Sequence, residues 1–313
     1  MSEPNLTRSP NPRWNAAIPT LSVLIPFHGH DPAPLLRMLD REAATLAGRV
    51  EIVLLDDGNP TLEFSEAAEV AAAASPLPVM LLTLRPNEGR SKGRNRLAAA
   101  ARGPWFLFLD SDMAPDAPDF LARWLALIDA DAPACAVGGF SLEQATPAPE
   151  HRLHAALQAR AECAPVGVRS ADPAKYVYTS NLLVRRDVFT AEAFDEGFTG
   201  WGWEDVEWGM RVAARFGVTH VDNPASHLGL DTADQLAWKY AQSAANFARV
   251  LARHPQVVKA YPSYRVARVL SLVPGHRLLA AAFRGLALRE AAPLPLRIAA
   301  MKLHRAALYA QVL

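Results

Sequence analysis

Residues 105–112 read Trp105-Phe106-Leu107-Phe108-Leu109-Asp110-Ser111-Asp112, an apolar run that stops at two carboxylates. Such a run is too short for a buried helix and fits a strand covered on both faces. Its acidic end then stands at the carboxyl edge of a sheet, where open α/β folds bind their ligands. Asp110 and Asp112 are also hard oxygen donors of the type Mg²⁺ or Mn²⁺ takes, and such a cation offsets the charge of a diphosphate.

Neighbouring segments repeat the pattern. Leu21–Pro26, Glu51–Asp56, Val79–Leu84 and Ala134–Phe140 read as further strands, with helices at Leu35–Leu46, Leu62–Ala74, Ser91–Ala101 and Phe120–Asp129 between them. Strand-helix alternation at this spacing predicts an α/β fold: a Rossmann-like, mostly parallel central sheet with helices on both faces. Residues 1–19 form an N-terminal extension on this reading. Residues 20–230 form the main domain, in halves of about 20–140 and 141–230, the second opened by Pro147 and Pro149. In that half His151–Cys163 and Glu204–Phe216 read as helical and Tyr176–Val184 as extended. Residues 231–313 make a C-terminal helical tail, from a long helix over Thr232–Arg253, stopped by His254-Pro255, to amphipathic segments at Tyr264–Leu272, Arg277–Arg289 and Leu296–Leu313.

The 313-residue chain has no formal net charge, but the charge is unevenly placed. Residues 264–313 hold eight basic residues against one acid, Glu290, so that the tail carries +7 and the rest −7. Two readings account for this: a tail facing an anionic membrane surface, with Leu278, Leu279, Phe283 and Leu286 as its apolar stripe, or a helical tail docked on an acidic body. Cys135 and Cys163 have neither disulfide-framework nor zinc spacing, and residues 1–19 lack the apolar core of a signal peptide. With no apolar stretch of membrane-spanning length, the expected location is cytoplasmic, peripheral on the inner face of the plasma membrane if the tail binds lipid. Arginine outnumbers lysine heavily, a residue usage that points to a GC-rich bacterial source.

Three loops carry further candidates. Pro26-Phe27-His28 ends the first strand, and Asp56-Asp57-Gly58 ends the second, where a carboxylate can accept a base N–H or a ribose hydroxyl. Asn87 to Asn95 combines Gly89 and Gly93 with Lys92 and Arg94 at the start of a helix, an arrangement suited to a diphosphate.

Pro26, Asp56-Asp57-Gly58, Asn87-x-Gly89, Gly93-Arg94-Asn95 and Asp110-Ser111-Asp112 fall in the order seen in family 2 glycosyltransferases. The resemblance covers roughly residues 20–230 and implies a GT-A fold that binds a nucleotide-diphosphate sugar, with UDP favoured. It implies that Pro26, His28, Asp57 and Arg94 hold the nucleotide, that Asp110 meets ribose or metal-bound water, and that Asp112 binds the metal.

A second segment, Phe198-Thr199-Gly200-Trp201-Gly202-Trp203-Glu204-Asp205-Val206-Glu207, resembles the Gly-Trp-Gly-acid motif of β-1,4-galactosyltransferases and chondroitin polymerases. That likeness implies Asp205 as general base and Glu204 as the neighbour holding the acceptor. Trp201 and Trp203 are expected to divide their roles, one in the core and one against a sugar ring. The same branch places a metal-binding histidine some twenty residues beyond the acid pair, which singles out His227 over His220. A mixed carboxylate and imidazole set favours Mn²⁺ over Mg²⁺. Asn181 lies in a segment resembling the strand that faces donor and acceptor.

The activity implied is inverting transfer of a single sugar to a hydroxyl acceptor, a lipid or a surface glycan. A retaining transferase and an inactive glycan- or nucleotide-binding scaffold are the alternatives. A pyrophosphorylase is disfavoured because Phe27-His28-Gly29-His30-Asp31-Pro32 lacks its glycine-rich basic loop.

Overall fold

A computed structural model of the chain describes residues 5–15, 18–46 and 48–313. It divides into two compact units, residues 1–145, 162–196 and 208–229, and residues 146–161, 197–207 and 230–313.

The first unit holds the strands found among the described residues: β1 Leu6–Pro10, β2 Leu21–Phe27, β3 Val50–Asp57, β4 Val79–Leu84, β5 Trp105–Leu109, β6 Met113–Pro115, β7 Cys135–Val137, β8 Phe140–Ser141, β9 Asn181–Arg185, β10 Thr219–His220 and β11 Ala225–His227. Its main sheet runs β1-β4-β3-β2-β5-β9-β7-β10. Strands β4, β3, β2 and β5 are mutually parallel, and β9 is inserted antiparallel between β5 and β7. The order reverses direction from β2 to β5, so the carboxyl ends of those two strands open onto the same edge.

Side chains alternate across a strand, and here both faces are apolar. Leu21, Val23 and Ile25 of β2 join Ile52 and Leu54 of β3 and Leu107 and Leu109 of β5 in one core, closed by helices Ala33–Asp40, Leu62–Ala74 and Phe120–Asp131. Leu24, Val53, Leu55, Phe106 and Phe108 enter the other, with Leu97, Phe189 and Trp208 from helices Arg90–Ala100, Arg186–Ala191 and Glu204–Phe216. Each fully buried Leu, Val or Phe contributes about 1.5–3 kcal/mol, which is why these strands read as continuous apolar runs.

Three local readings differ from the structure. Residues 6–10 are an edge strand, antiparallel to β4 from Leu6↔Leu84 to Pro10↔Met80; beyond the half-buried Leu6 they are exposed, and they show no apolar period. The helix expected to reach Leu46 stops at Asp40, and Glu42 in the following turns accepts the Leu121 and Ala122 amides at 2.9 and 3.0 Å, capping the distant helix Phe120–Asp131. The strand expected over Ala134–Phe140 breaks at Gly138-Gly139. Its second part, β8, joins a separate small sheet of order β6-β11-β8.

The second unit is helical: Arg152–Ala161, Ala233–Arg253, Pro255–Val258, Pro262–Ser271, His276–Leu288 and Leu294–Ala310, with residues 197–207. Thr232 and Gln235 form a reciprocal cap at the start of the longest helix. Leu153, Leu157, Leu236, Tyr240, Ile298 and Met301 build its core. Among the described residues no helix is long and apolar enough to cross a membrane.

Candidate active site

The carboxyl ends of β2, β3 and β5 bring together the residues singled out in the first half of the chain. Asp57 closes β3 and spends its carboxylate on the next loop, accepting the Glu88 amide at 2.8 Å and the Gly89 amide at 3.0 Å. Burial pushes its pKa up against the pull of those amides and of His28. The Asp57 carbonyl accepts from Asn87 Nδ2 at 2.6 Å and lies 3.2 Å from His28 Nδ1. Gly58 turns with φ +64°, and a β-carbon there would overlap the Asn87 backbone. Asp57 and His28 thus shape the loop that opens helix Arg90–Ala100. Asp56 faces away from it, accepting from Ser65 Oγ at 2.6 Å and Arg85 Nη1 at 3.1 Å. Pro26 is half-buried in β2.

Arg94 is buried, and its guanidinium donates to Asp110 Oδ1 at 2.6 Å, with Arg90 Nη2 3.7 Å from the other oxygen. The cation expected to hold a nucleotide therefore sets the orientation of the first aspartate of the pair.

Asp112 is held from the small sheet. β6 starts at the next residue and pairs antiparallel with β11, Met113 opposite His227, while the Leu228 amide donates to the Asp112 carbonyl at 2.9 Å. This pairing brings His227 Nε2 to 3.2 Å from Asp112 Oδ2. Phe140 of β8 packs edge-on against the imidazole, ring centres 5.8 Å apart. Burial opposes the charge on Asp112, but the charge and hydrogen bond of His227, with His30 adding, outweigh it and hold the carboxyl well below the usual range. His227 moves up in turn, burial being overcome by Asp112 and, more weakly, Glu162 and Asp110.

The pair fits a divalent cation. Two ligands at right angles, each about 2.1 Å from a Mg²⁺-sized ion, stand about 3 Å apart, close to the separation observed. No group of three or more His, Cys, Asp and Glu side chains that could hold a metal ion occurs among the described residues.

Two neighbours escaped sequence reasoning. His30 Nε2 lies 3.9 Å from Asp112 Oδ2; the signal was its place two residues after His28 in the same strand-end loop. Gly229 has no room for a β-carbon, which would overlap the Asp112 carboxylate. Gly229→Ala is expected to displace Asp112 and weaken Mn²⁺ binding about 10–100-fold, the range seen when a ligand loses its support. Calorimetric titration with Mn²⁺ measures this; an unchanged affinity would place the cation elsewhere.

Asn181, expected against substrate, is buried in β9, and its amide donates to the Gly139 and Asn223 carbonyls at 3.0 and 2.8 Å. It ties the Gly138-Gly139 break to the sheet. His220 lies 3.0 Å from Arg169 Nη1, and burial pushes its pKa down.

The Gly-Trp-Gly-Trp segment belongs to the second unit. Gly200, Gly202 and Trp203 all have positive φ, the last at +76°, a region that costs a non-glycine residue strain. Asn246 holds this backbone by donating to the Thr199 and Gly202 carbonyls. The Trp203 indole donates to Tyr309 Oη at 2.9 Å and packs on Phe247, and Trp201 packs on Tyr240 at 5.9 Å. Both tryptophans keep part of their surface in solvent, so neither is wholly core. Glu204 and Asp205 occupy the first turn of helix Glu204–Phe216, Glu204 buried and Asp205 half-buried. Glu207 is buried, with Arg253 Nη1 3.4 Å and His254 Nε2 3.1 Å from its Oε1.

The sequence profile of the family described as glycosyl transferase family 2 matches residues 22–191, more than half of the chain. The chain belongs to glycosyl transferase family 2. Among curated proteins, this family 2 chain is similar to validoxylamine A glucosyltransferase from Streptomyces hygroscopicus subsp. limoneus, 27% identical over 242 residues. The match covers 67% of this chain and 51% of that protein, so the chain spans about half the length of this curated relative.

Among solved structures it is similar to the mannosyltransferase PcManGT from Pyrobaculum calidifontis in complex with GDP-Man and Mn²⁺, with a TM-score of 0.58 and 14% identity over 97% of this chain and 89% of that one. It is also similar to glucosyl-3-phosphoglycerate synthase from Mycobacterium tuberculosis in complex with Mn²⁺, UDP-Glc and phosphoglyceric acid. There the TM-score is 0.52, with 17% identity over 75% and 79% of the two chains. These likenesses are of fold, the GT-A architecture with a C-terminal helical region added.

Proposed function

We propose that the chain is a metal-dependent, inverting glycosyltransferase that moves one sugar from a nucleotide-diphosphate donor, UDP-linked by preference, to a hydroxyl acceptor on a lipid or a glycan. The observation that carries this reading is the Asp112–His227 pair, 3.2 Å apart beside Asp110 at the carboxyl edge of the sheet. Complexes of the similar structures with GDP-Man or UDP-Glc and Mn²⁺ support the donor class and the metal.

Asp112 and His227 would hold Mn²⁺ or Mg²⁺, which when bound offsets the charge growing on the leaving diphosphate. Asp110, oriented by Arg94, is placed to meet the ribose or metal-bound water. The loop held by Asp57 presents Arg90 and the first amides of a helix, an anion-binding arrangement. Asp205 is assigned as the base that takes the acceptor hydroxyl proton as the oxygen attacks the anomeric carbon, with Glu204 beside it. Attack opposite the leaving group inverts the anomeric centre. Trp201 and Trp203 each present part of an indole for an apolar sugar face.

A thermal-shift screen of UDP-, GDP- and dTDP-sugars with and without Mn²⁺ tests the donor site. A ligand at a hundredfold its dissociation constant adds about 2.7 kcal/mol to the folded state. UDP-sugars are expected to raise the midpoint by several degrees only when Mn²⁺ is present. Failure of every nucleotide sugar to shift it would sink the reading, and hydrolysis of the donor in the presence of Mn²⁺ separates an enzyme from a binding scaffold.

A further inference from the structure

Helix Pro262–Ser271 wears its side chains inside out. Its one fully buried residue is Ala267, whereas Val269 is 64% exposed and Leu272, just beyond the helix, 69% exposed. Val266 and Val273 are also exposed, and Leu278, at the start of the following helix, is 76% exposed. A helix that folds on its own core buries its large apolar residues and exposes its small ones. In this helix, which packs against Leu294–Ala310, the small Ala267 is fully buried and Tyr264 and Leu270 are half-buried, while Val266 and Val269 face out.

Basic groups share this surface. Arg265, Arg268 and Arg277 are exposed and interleaved in sequence with the apolar residues, and i,i+3 and i,i+4 spacing puts Arg265, Arg268 and Val269 on one side of their helix. Between Asp234 and Glu290 the chain has no acidic residue. The expected apolar stripe on the next helix is a different matter. Of its four members only Leu278 is exposed, Leu279 and Phe283 are half-buried, and Leu286 packs against the helical core. The surface is therefore the helix-turn-helix tip, residues 265–278.

We propose that this tip is a docking surface for an anionic phospholipid bilayer: Val269, Leu272, Val273 and Leu278 enter the acyl boundary while Arg265, Arg268 and Arg277 meet the head groups. Apolar residues interleaved with arginines and no acid suit an interface with anionic lipid. The same charge disfavours a second copy of the tip, because like charges would face one another. The inference is independent of the transferase reading, since it needs neither donor nor acceptor.

Co-sedimentation of the full chain tests it, with vesicles of phosphatidylglycerol mixed with phosphatidylcholine and vesicles of phosphatidylcholine alone, each at low and high salt. Binding is expected to the anionic vesicles and to weaken as salt rises. An arginine near an anionic surface contributes about fivefold, so Arg265→Gln/Arg268→Gln/Arg277→Gln is expected to lose about a hundredfold in partitioning. Val269→Ser/Leu272→Ser/Leu278→Ser should abolish binding with an unchanged melting curve, because these side chains hold no core together. Wild-type protein left in the supernatant by anionic vesicles would overturn the proposal. So would equal binding to both vesicle types, or a salt-insensitive dimer that the serine variant dissociates while no vesicle binds.

Discussion

Asp112→Asn is expected to lose Mn²⁺-dependent turnover and most of the donor affinity together. The substitution keeps the shape of the side chain and the backbone carbonyl that accepts from Leu228, so the β6–β11 pairing survives. It removes the charge that faces His227 at 3.2 Å and replaces a hard anionic oxygen by a weak amide donor-acceptor. A Lewis-acid cation supplies several kcal/mol to a departing diphosphate, so the rate is expected to fall by about two to four orders of magnitude. Calorimetry should show Mn²⁺ binding lost in the same variant. His227→Ala should reproduce the metal defect, and turnover that still responds to Mn²⁺ in Asp112→Asn would dismiss the ligand assignment.

Asp205→Asn should separate chemistry from binding. The residue sits in the first turn of helix Glu204–Phe216, on a backbone held by Asn246 and by the packing of Trp203 on Phe247 and Tyr309. An isosteric amide leaves that frame in place but cannot accept a proton at working pH. Turnover is expected to fall by about two to four orders of magnitude, the range of general-base catalysis, while the Mn²⁺-dependent thermal shift with the donor stays as in the wild type. A rate within a few-fold of wild type removes Asp205 from the mechanism. Loss of donor binding along with the rate would mean that the residue serves the fold or the donor.

The central strands were legible because the physics that buries them is local. A strand covered on both faces must be apolar over most of its length, and Val23–Ile25, Ile52–Leu55 and Phe106–Leu109 satisfy this without reference to the rest of the chain. Asp110 and Asp112 were legible for the same reason, as charge directly after such a run belongs at a sheet edge. Edge strand β1 escaped because its stability comes from backbone pairing with β4 and from the Asn11 side chain, which donates to Leu77 O at 2.9 Å and accepts from the Val79 amide. None of these leaves an apolar period.

By itself the sequence determined the alternating α/β order, the acidic sheet edge and the family, because short-range periodicity and motif spacing encode them directly. Tertiary structure alone decided which partners the polar groups take. His227 reaches Asp112 through the register of β11 on β6, across a separation of 115 residues. Arg94 turns to Asp110, Asp57 to the amides of Glu88 and Gly89, and Asn181 inward to Gly139 and Asn223. Gly229 is demanded only by the carboxylate that the fold places above it. The tail likewise carried apolar residues at helical spacing in two neighbouring segments, and only the packing of His276–Leu288 and Leu294–Ala310 settled which of them face out. A side chain's hydrogen-bond partner and exposure depend on residues distant in the chain, and no local pattern records which of several chemically equivalent partners the folded backbone brings within reach.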